Sequence, residues 1–257
     1  MGWKIKTLKR NLKLNRPILV EGLPGIGNVG KLAVDFLVDE LNAKDFIEIS
    51  SYDMPNMAFV NEEGLVEMPK IKLYYKKTKG NSSDLLFLSG DVQPTENRLS
   101  HEFSNSIIGL SKKLNVHEII TLGGIGLSKE IKKPKVYCTS HSQKLLDNYK
   151  KRNLKIKTNV YGVVGPIFGA SGLLVGMAKE KNIPAAVLLA ETFNHPLNLG
   201  INGAKELIKI LNVRLNLKLD IKKLNLEVKK IEKQIKENLE ETFKYENEKD
   251  KDTTYIG

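Results

Sequence analysis

Short apolar runs alternate with longer segments of helical periodicity along most of the chain. Residues 18–20 form an apolar run that stops at a Gly-Leu-Pro-Gly segment, which predicts a buried strand and a turn. From Val29 to Leu41 the apolar positions recur every three or four residues, so we expect an amphipathic helix over 28–42. A second strand is predicted at 46–51. This strand–helix–strand order is typical of the parallel crossover in an α/β sheet.

The alternation continues to residue 211. Further strands are predicted at 71–75, 85–88, 118–122, 136–139, 160–164 and 185–190, and further helices at 95–114, 140–152, 170–181 and 203–211. Residues 57–60 and 65–68 instead flank a polar turn, which predicts a β-hairpin. We therefore predict an α/β fold in three layers, with a mostly parallel sheet, helices on both faces and an antiparallel hairpin extension.

The C-terminal region has a different pattern. Residues 213–244 carry an apolar stripe with alternating spacings of four and three residues, which predicts a long amphipathic helix. This stripe either packs on its own domain or associates with helices of other subunits. Residues 245–257 are highly charged and are predicted to form a flexible tail. The expected divisions are therefore a domain at 1–212, a helix at 213–244 and a tail at 245–257.

Composition narrows the classes of protein that this chain can belong to. Hydrophobic residues make up 41% and charged residues 28%, which is typical of a globular protein. Cys138 is the only cysteine, so an intramolecular disulfide is excluded and a reducing compartment is expected. No apolar run approaches the length of a membrane span, and the first residues lack the apolar core of a secretory signal. We expect a cytoplasmic protein with no membrane partner.

The formal net charge of +11 comes from two clusters. Residues 1–16 contain six Lys or Arg and no acid, and residues 129–157 contain ten against two acids. Nucleic-acid binding is not expected, because the clusters lack the regular interleaving of aromatic and basic residues that stacks on bases. We interpret them as solvated faces, with an acidic protein partner as the next alternative.

The glycine-rich segment at 22–32, GLPGIGNVGKL, matches two phosphate-binding patterns. Gly25, Gly27 and Gly30 spell G-x-G-x-x-G, and the same segment spells G-x-x-x-x-G-K. Leu32 stands where a P-loop has the Ser or Thr that binds magnesium. We interpret the glycines mainly as a means of tight helix–strand packing, and binding of a nucleotide or another anion remains an alternative.

Other candidate residues are scattered along the chain. Ser171 lies in a partial nucleophile elbow that has Leu173 in place of the last glycine, although Glu191 and His195 follow it in a hydrolase order. The four histidines lack metal-ligand spacing. We predict no catalytic residue, metal or cofactor. A vestigial ligand cleft at the carboxyl ends of the strands is predicted from Gly25, Gly27, Gly30, Asp91, Gly124 and Ser171.

Several blocks of this sequence resemble archaeal members of the proteasome assembly chaperone 2 family. They are PILVEGLPGIGNVGKLAVDFLV, DLLFLSGDVQP, IITLGGIG, KPKVY, GPIFGASGLLVGMAKEKNIPAAVLLAET and HPL. The blocks occur in the order of the family and span roughly residues 17–212. The resemblance implies a nucleoside-phosphorylase-like α/β core, homo-oligomers, docking on proteasome α-subunits, and no catalytic activity.

The resemblance also implies a binding tail at the C-terminus. In the family a hydrophobic–Tyr–any-residue ending inserts between α-subunits, with its carboxylate paired to a lysine. Here the partner-binding residues would be Tyr255, Ile256 and Gly257, but tyrosine is third from the end and Ile256 occupies the position of the tyrosine. The competing hypothesis is a phosphorylase-like or hydrolase-like enzyme, or a small-anion or nucleotide binder, that uses the glycine-rich loops.

Overall fold

The structure is a computed structural model that describes residues 2–61, 63–80, 82–152, 154–195, 198–226 and 228. The chain divides into two compact units, Met1–Lys218 and Leu219–Gly257. The strands are β1 (Lys4–Thr7), β2 (Ile18–Glu21), β3 (Lys44–Ser50), β4 (Phe59–Val60), β5 (Val66–Glu67), β6 (Ile71–Lys76), β7 (Leu85–Gly90), β8 (Glu118–Leu127), β9 (Val136–Ser140), β10 (Ile156–Lys157) and β11 (Ala185–Phe193). The α-helices are α1 (Val29–Glu40), α2 (Asn97–Lys113), α3 (Gln143–Lys151), α4 (Ala170–Ala178) and α5 (Ile201–Leu215).

The described residues form one nine-stranded sheet with the order β1-β3-β6-β7-β2-β8-β11-β9-β10. The four central strands, β7, β2, β8 and β11, are parallel, whereas β1, β3, β6 and β9 pair with antiparallel neighbours. Strands β4 and β5 pair separately as a hairpin, with Val60 opposite Val66. The predicted α/β fold class and the hairpin extension are confirmed.

Helices cover both faces of the sheet, as predicted. Side chains alternate along a strand, so Thr121 and Leu122 of β8 point to opposite faces. The Thr121 hydroxyl donates to the carbonyl of Ser171 in α4, while Leu122 lies against Gly30 in α1. Helix α2 packs with α4, and helix α5 packs with α1. The hydrophobic residues between the sheet and the α2–α4 layer include Leu19, Phe103 and Ile107.

Two predictions about where strands and loops lie were wrong. Residues 160–164 form a turn instead of a strand, in which the amides of Val163 and Val164 donate to the Val160 carbonyl. Gly162 has a φ of 75°, which the extended backbone of a strand does not permit. Conversely, β8 continues through the glycines at 123–126 to Leu127, because these residues pair with β11.

The C-terminal helix begins later than predicted. Helix α5 extends to Leu215 and ends at Asn216, whose φ of 52° is left-handed. Lys218 also has a positive φ. Helical structure resumes at residues 221–226 and 228, after Asp220, which accepts a hydrogen bond from the Lys222 amide. The predicted start at 213 is therefore wrong, and most of the predicted helix and the predicted tail lie outside the described residues.

Candidate functional site

A cleft of about 530 Å³ opens at the carboxyl ends of β2 and β8. Strands β2 and β7 are parallel neighbours. The loop after β2 leads into α1 and the loop after β7 leads into α2, and these helices lie on opposite faces of the sheet, so the two loops diverge. Such a switch in direction is where α/β sheets bind their ligands. The cleft is lined by residues 23–26, Gly30, residues 122–126 and Leu189, and by part of the segments 93–101 and 163–173.

The structure brings together four of the six residues predicted for a cleft. Gly25, Gly30, Gly124 and Ser171 line it. Gly27 is not among the described lining residues, nor is Asp91. Gly27 has a φ of 60° and lies against Thr192, where an added Cβ would be 2.8 Å from the hydroxyl. The Asp91 carboxylate accepts a hydrogen bond of 2.8 Å from the Lys70 amide, so it closes a turn beside β6.

The glycine-rich segment mainly permits close packing. A Cβ at Gly30 would lie 2.5 Å from the carbonyl oxygen of Leu122, and one at Gly124 would lie 2.3 Å from the carbonyl oxygen of Ile26. Real Cβ atoms do not approach backbone oxygens this closely, so both positions require glycine for packing. Gly25, by contrast, has no neighbour within 4 Å of an added Cβ. These contacts support the packing interpretation of GLPGIGNVGKL.

The described lining of the cleft carries no formal charge. Its polar side chains are Gln93, Thr95, Asn97, Ser100, His101 and Ser171, and the other lining residues are glycine or apolar. Phosphate groups are bound in proteins by Lys, Arg or converging backbone amides. The described lining residues include no Lys or Arg, so their side chains, apart from His101, do not favour the anion alternative.

A buried carboxyl group lies behind the wall of the cleft. Glu21, at the end of β2, is fully buried, and its Oε1 accepts a hydrogen bond of 3.0 Å from the Leu23 amide. Its Oε2 lies 3.0 Å from the Ser171 Oγ, which also lies 3.2 Å from the Leu122 carbonyl oxygen. Burial raises the pKa of Glu21 from 4.5 to about 7, against the opposing effect of these hydrogen bonds. The sequence signal for this group was an acid that follows the apolar run directly.

The described contacts do not assemble a serine hydrolase relay. Ser171 is engaged by Glu21, and the Glu191 carboxylate accepts from the Tyr137 hydroxyl at 3.0 Å and from the Lys135 amide at 2.9 Å. The His195 ring stacks on Phe193, with 5.4 Å between the ring centroids. Among the described residues no group of three or more His, Cys, Asp or Glu could hold a metal ion. None of the described helices is long and apolar enough to cross a membrane.

Two surfaces of the first unit expose apolar side chains. We call the first the hairpin surface; it comprises Met57, Phe59, Val60, Leu65, Val66 and Met68. We call the second the rim surface; it comprises the apolar residues Tyr161, Val163 and Phe168 and the lysines Lys129, Lys132, Lys133 and Lys135. Sequence reasoning identified the hairpin as an element but missed its exposure. The predicted binding residues Tyr255, Ile256 and Gly257 lie outside the described residues.

One family model and several known proteins are similar to this chain. The model of the PAC2 family matches residues 19–239. Among solved structures, Pyrococcus furiosus PbaB, described as an archaeal proteasome activator, has a TM-score of 0.83 and 28% identity over 92% of this chain and 98% of that chain. Pyrococcus furiosus PbaA, described as an archaeal homolog of proteasome-assembly chaperone, has a TM-score of 0.76 and 24% identity over 98% of this chain and 97% of that chain. The uncharacterized protein MJ1210 of Methanocaldococcus jannaschii is 28% identical over 267 residues, which cover 100% of both chains.

Proposed function

Because the chain belongs to the PAC2 family, we propose that it is a non-enzymatic proteasome assembly chaperone or activator that docks on proteasome α-subunits as a homo-oligomer. The observation that carries this proposal is the match to PbaB, which extends over nearly the whole length of both chains. The described contacts of Ser171, Glu191 and His195 support the non-enzymatic part, since each side chain is engaged away from the other two.

The C-terminal tip is the proposed docking element. Tyr255, Ile256 and Gly257 follow a segment rich in Lys, Glu and Asp. We propose that the apolar side chains of Tyr255 and Ile256 and the carboxylate of Gly257 are the recognised groups. A pocket between subunits that contains a basic residue recognises such an end through apolar burial and charge pairing. The shifted position of the tyrosine predicts weak docking by a single tail, and several tails on one oligomer would compensate through avidity.

The experiment is a binding assay between this protein and proteasome α-subunits or core particles. Full-length protein is compared with a form that lacks residues 255–257, and Val213→Ser in the exposed face of α5 serves as a matched control. We expect the truncation to weaken binding at least about tenfold and the control to bind as the wild type does. Peptidase activity of the core particle, measured with and without each form, separates an activator from a chaperone. Absence of binding by the full-length protein would contradict the proposal.

The alternative function is tested with the same preparation. Inorganic phosphate, nucleotides and nucleosides are added to the protein, and the melting temperature is measured. A ligand that occupies the cleft at a hundred times its Kd would stabilise the fold by about 2.7 kcal/mol. We expect no such stabilisation by phosphate, because the described lining of the cleft has no Lys or Arg. A saturable shift that Gly25→Ala abolishes, at a lining position with room for the added Cβ, would favour the ligand-binding hypothesis instead.

A further inference from the structure

The hairpin surface exposes apolar side chains that the described fold leaves uncovered. Val60 and Val66 are opposite each other in the hairpin and are 70% and 73% exposed. Strands β4 and β5 contribute nothing to the nine-stranded sheet, and a two-stranded hairpin is marginally stable on its own. A cluster of exposed apolar side chains on a separate element is typical of a protein-binding surface.

The hairpin segment is also acidic in a basic protein. Residues 52–69 contain four acidic residues and no Lys or Arg, although the whole chain has a formal net charge of +11. One of the four, Glu67, is paired with Lys70, which directly follows the segment. Asp53 and Glu63 are exposed there. At the tip, the side chain of Asn61 accepts hydrogen bonds from the amides of Glu63 and Leu65, which fixes the turn that presents these groups. The segment is therefore a formed, acidic and apolar projection.

The rim surface has the complementary character. Tyr161 is 96% exposed and Phe168 is 84% exposed. The loop from 128 to 135 leaves the end of β8 and contains four lysines against Glu130. The loop at 163–169 borders the cleft over the last residues of the same strand. The rim therefore consists of one basic loop and one apolar loop at the carboxyl end of β8.

Both surfaces lie at one edge of the sheet but at different positions along it. Strand β3 runs parallel to β7, because β6 is antiparallel to both, so the hairpin after β3 leaves from the same edge as the loops after β8. In the strand order, β6, β7 and β2 separate β3 from β8, a span of roughly 19 Å at normal strand spacing. The exposure of both surfaces shows that the hairpin does not cover the rim of its own chain.

We infer that the hairpin surface of one copy binds the rim surface of a second copy. Opposite charges on the two surfaces favour this pairing and disfavour contact between two hairpins or two rims. The exposed apolar side chains on both sides would then be buried in the contact. This contact gives a structural basis for the self-association that belongs to the proposed function, but it does not depend on any proteasome partner.

Charge reversal on each surface provides the test. The hairpin variant carries Asp53→Lys and Glu63→Lys, and the rim variant carries Lys132→Glu and Lys133→Glu; all four side chains are exposed. Masses are measured for full-length proteins in solution by light scattering or native mass spectrometry, and circular dichroism confirms folding. We expect each variant alone to shift toward the 28.9 kDa monomer, with self-association weakened about tenfold or more.

Mixing the two variants gives the decisive result. In the mixture the basic hairpin of the hairpin variant can bind the acidic rim of the rim variant, and the two unchanged surfaces can bind each other, so the wild-type mass should return. A protein with all four substitutions should assemble for the same reason. The replacement Val66→Ser should weaken assembly, and Val213→Ser, at another exposed position outside both surfaces, should not. A monomeric wild type, a rim variant that assembles normally, or a mixture that stays monomeric would each overturn the inference. Proteasome binding is measured separately, so failure here is distinguishable from failure of the proposed function.

Discussion

Ser171 Oγ lies 3.0 Å from Glu21 Oε2, and this contact joins the first turn of α4 to the end of β2. The two residues are 150 positions apart in the chain. The contact places a buried carboxyl group directly behind a side chain that lines the cleft.

Replacement of Glu21 should change how stability depends on pH. The folded-state pKa is raised from 4.5 to about 7, so the folded state holds a proton that the unfolded state loses. The stabilisation is fully present below about pH 4.5 and is lost as pH rises toward 7. Between pH 5 and pH 8 the contribution of Glu21 to the free energy of unfolding should therefore fall by about 2–3 kcal/mol.

The neutral variant Glu21→Gln should not show that loss. Its unfolding free energy, measured by denaturant titration at several pH values, should improve relative to wild type as pH rises. Glu180→Gln, at an exposed position after α4, is the control and should follow the wild-type pH profile. Parallel pH profiles for Glu21→Gln and wild type would contradict the raised pKa.

Gly30→Ala should destabilise the protein, whereas Gly25→Ala should be nearly neutral. The new Cβ at position 30 would meet the Leu122 carbonyl oxygen at 2.5 Å and push α1 away from β8, which costs about 1–3 kcal/mol. At position 25 nothing lies within 4 Å of the added Cβ, and φ is −160°. Urea denaturation of both variants checks the difference. Equal stabilities would refute the packing role of the glycine motif.

Removal of Arg214 should be strongly destabilising. Its guanidinium pairs with Glu118, which is buried and also accepts a hydrogen bond of 2.7 Å from the Tyr149 hydroxyl. Arg214→Met leaves the Glu118 carboxylate buried without its partner, which costs about 3–5 kcal/mol. The double variant with Glu118→Gln should recover part of that loss. A double-mutant cycle in chemical denaturation gives the coupling, and additive losses would show that the pair is not coupled.

Cys138 should react with thiol reagents only after the protein unfolds. The side chain is fully buried, and burial together with the charge of Glu118 raises its pKa to about 12. The reactive thiolate is therefore both inaccessible and disfavoured at neutral pH. Because the chain has one cysteine, labelling with an aromatic disulfide measures a single site. Rapid labelling of the folded protein would contradict this prediction.

The central sheet could be predicted from the sequence because its strands are continuous apolar runs. Strands β2, β7 and β11 are buried on both faces, and such runs are distinctive. Strand β1 was missed because all four of its residues are exposed, so it has no apolar pattern. The last part of β8 was missed because glycines read as loop, although pairing with β11 holds them extended.

The cleft could be predicted only in part. Gly25, Gly30, Gly124 and Ser171 line the cleft. The glycines lie after or within the apolar runs of β2 and β8, which the pattern identified, whereas Ser171 follows a turn and lies in the first turn of α4. Asp91 also follows a strand, but its carboxylate turns to the Lys70 amide, a contact that no local pattern encodes. The pairing of Glu21 with Ser171 depends on the crossing of β2 and α4, which only the folded chain provides.

The two edge strands of the large sheet bear on whether molecules can associate strand to strand. Strand β1 has Lys4 and Lys6 on one margin, and β10 at the other is only two residues long. Short or lysine-bearing margins offer a poor template for the strand of another molecule. Addition of a strand from another copy is therefore disfavoured at both margins, so the sheet of one molecule does not readily extend into the next.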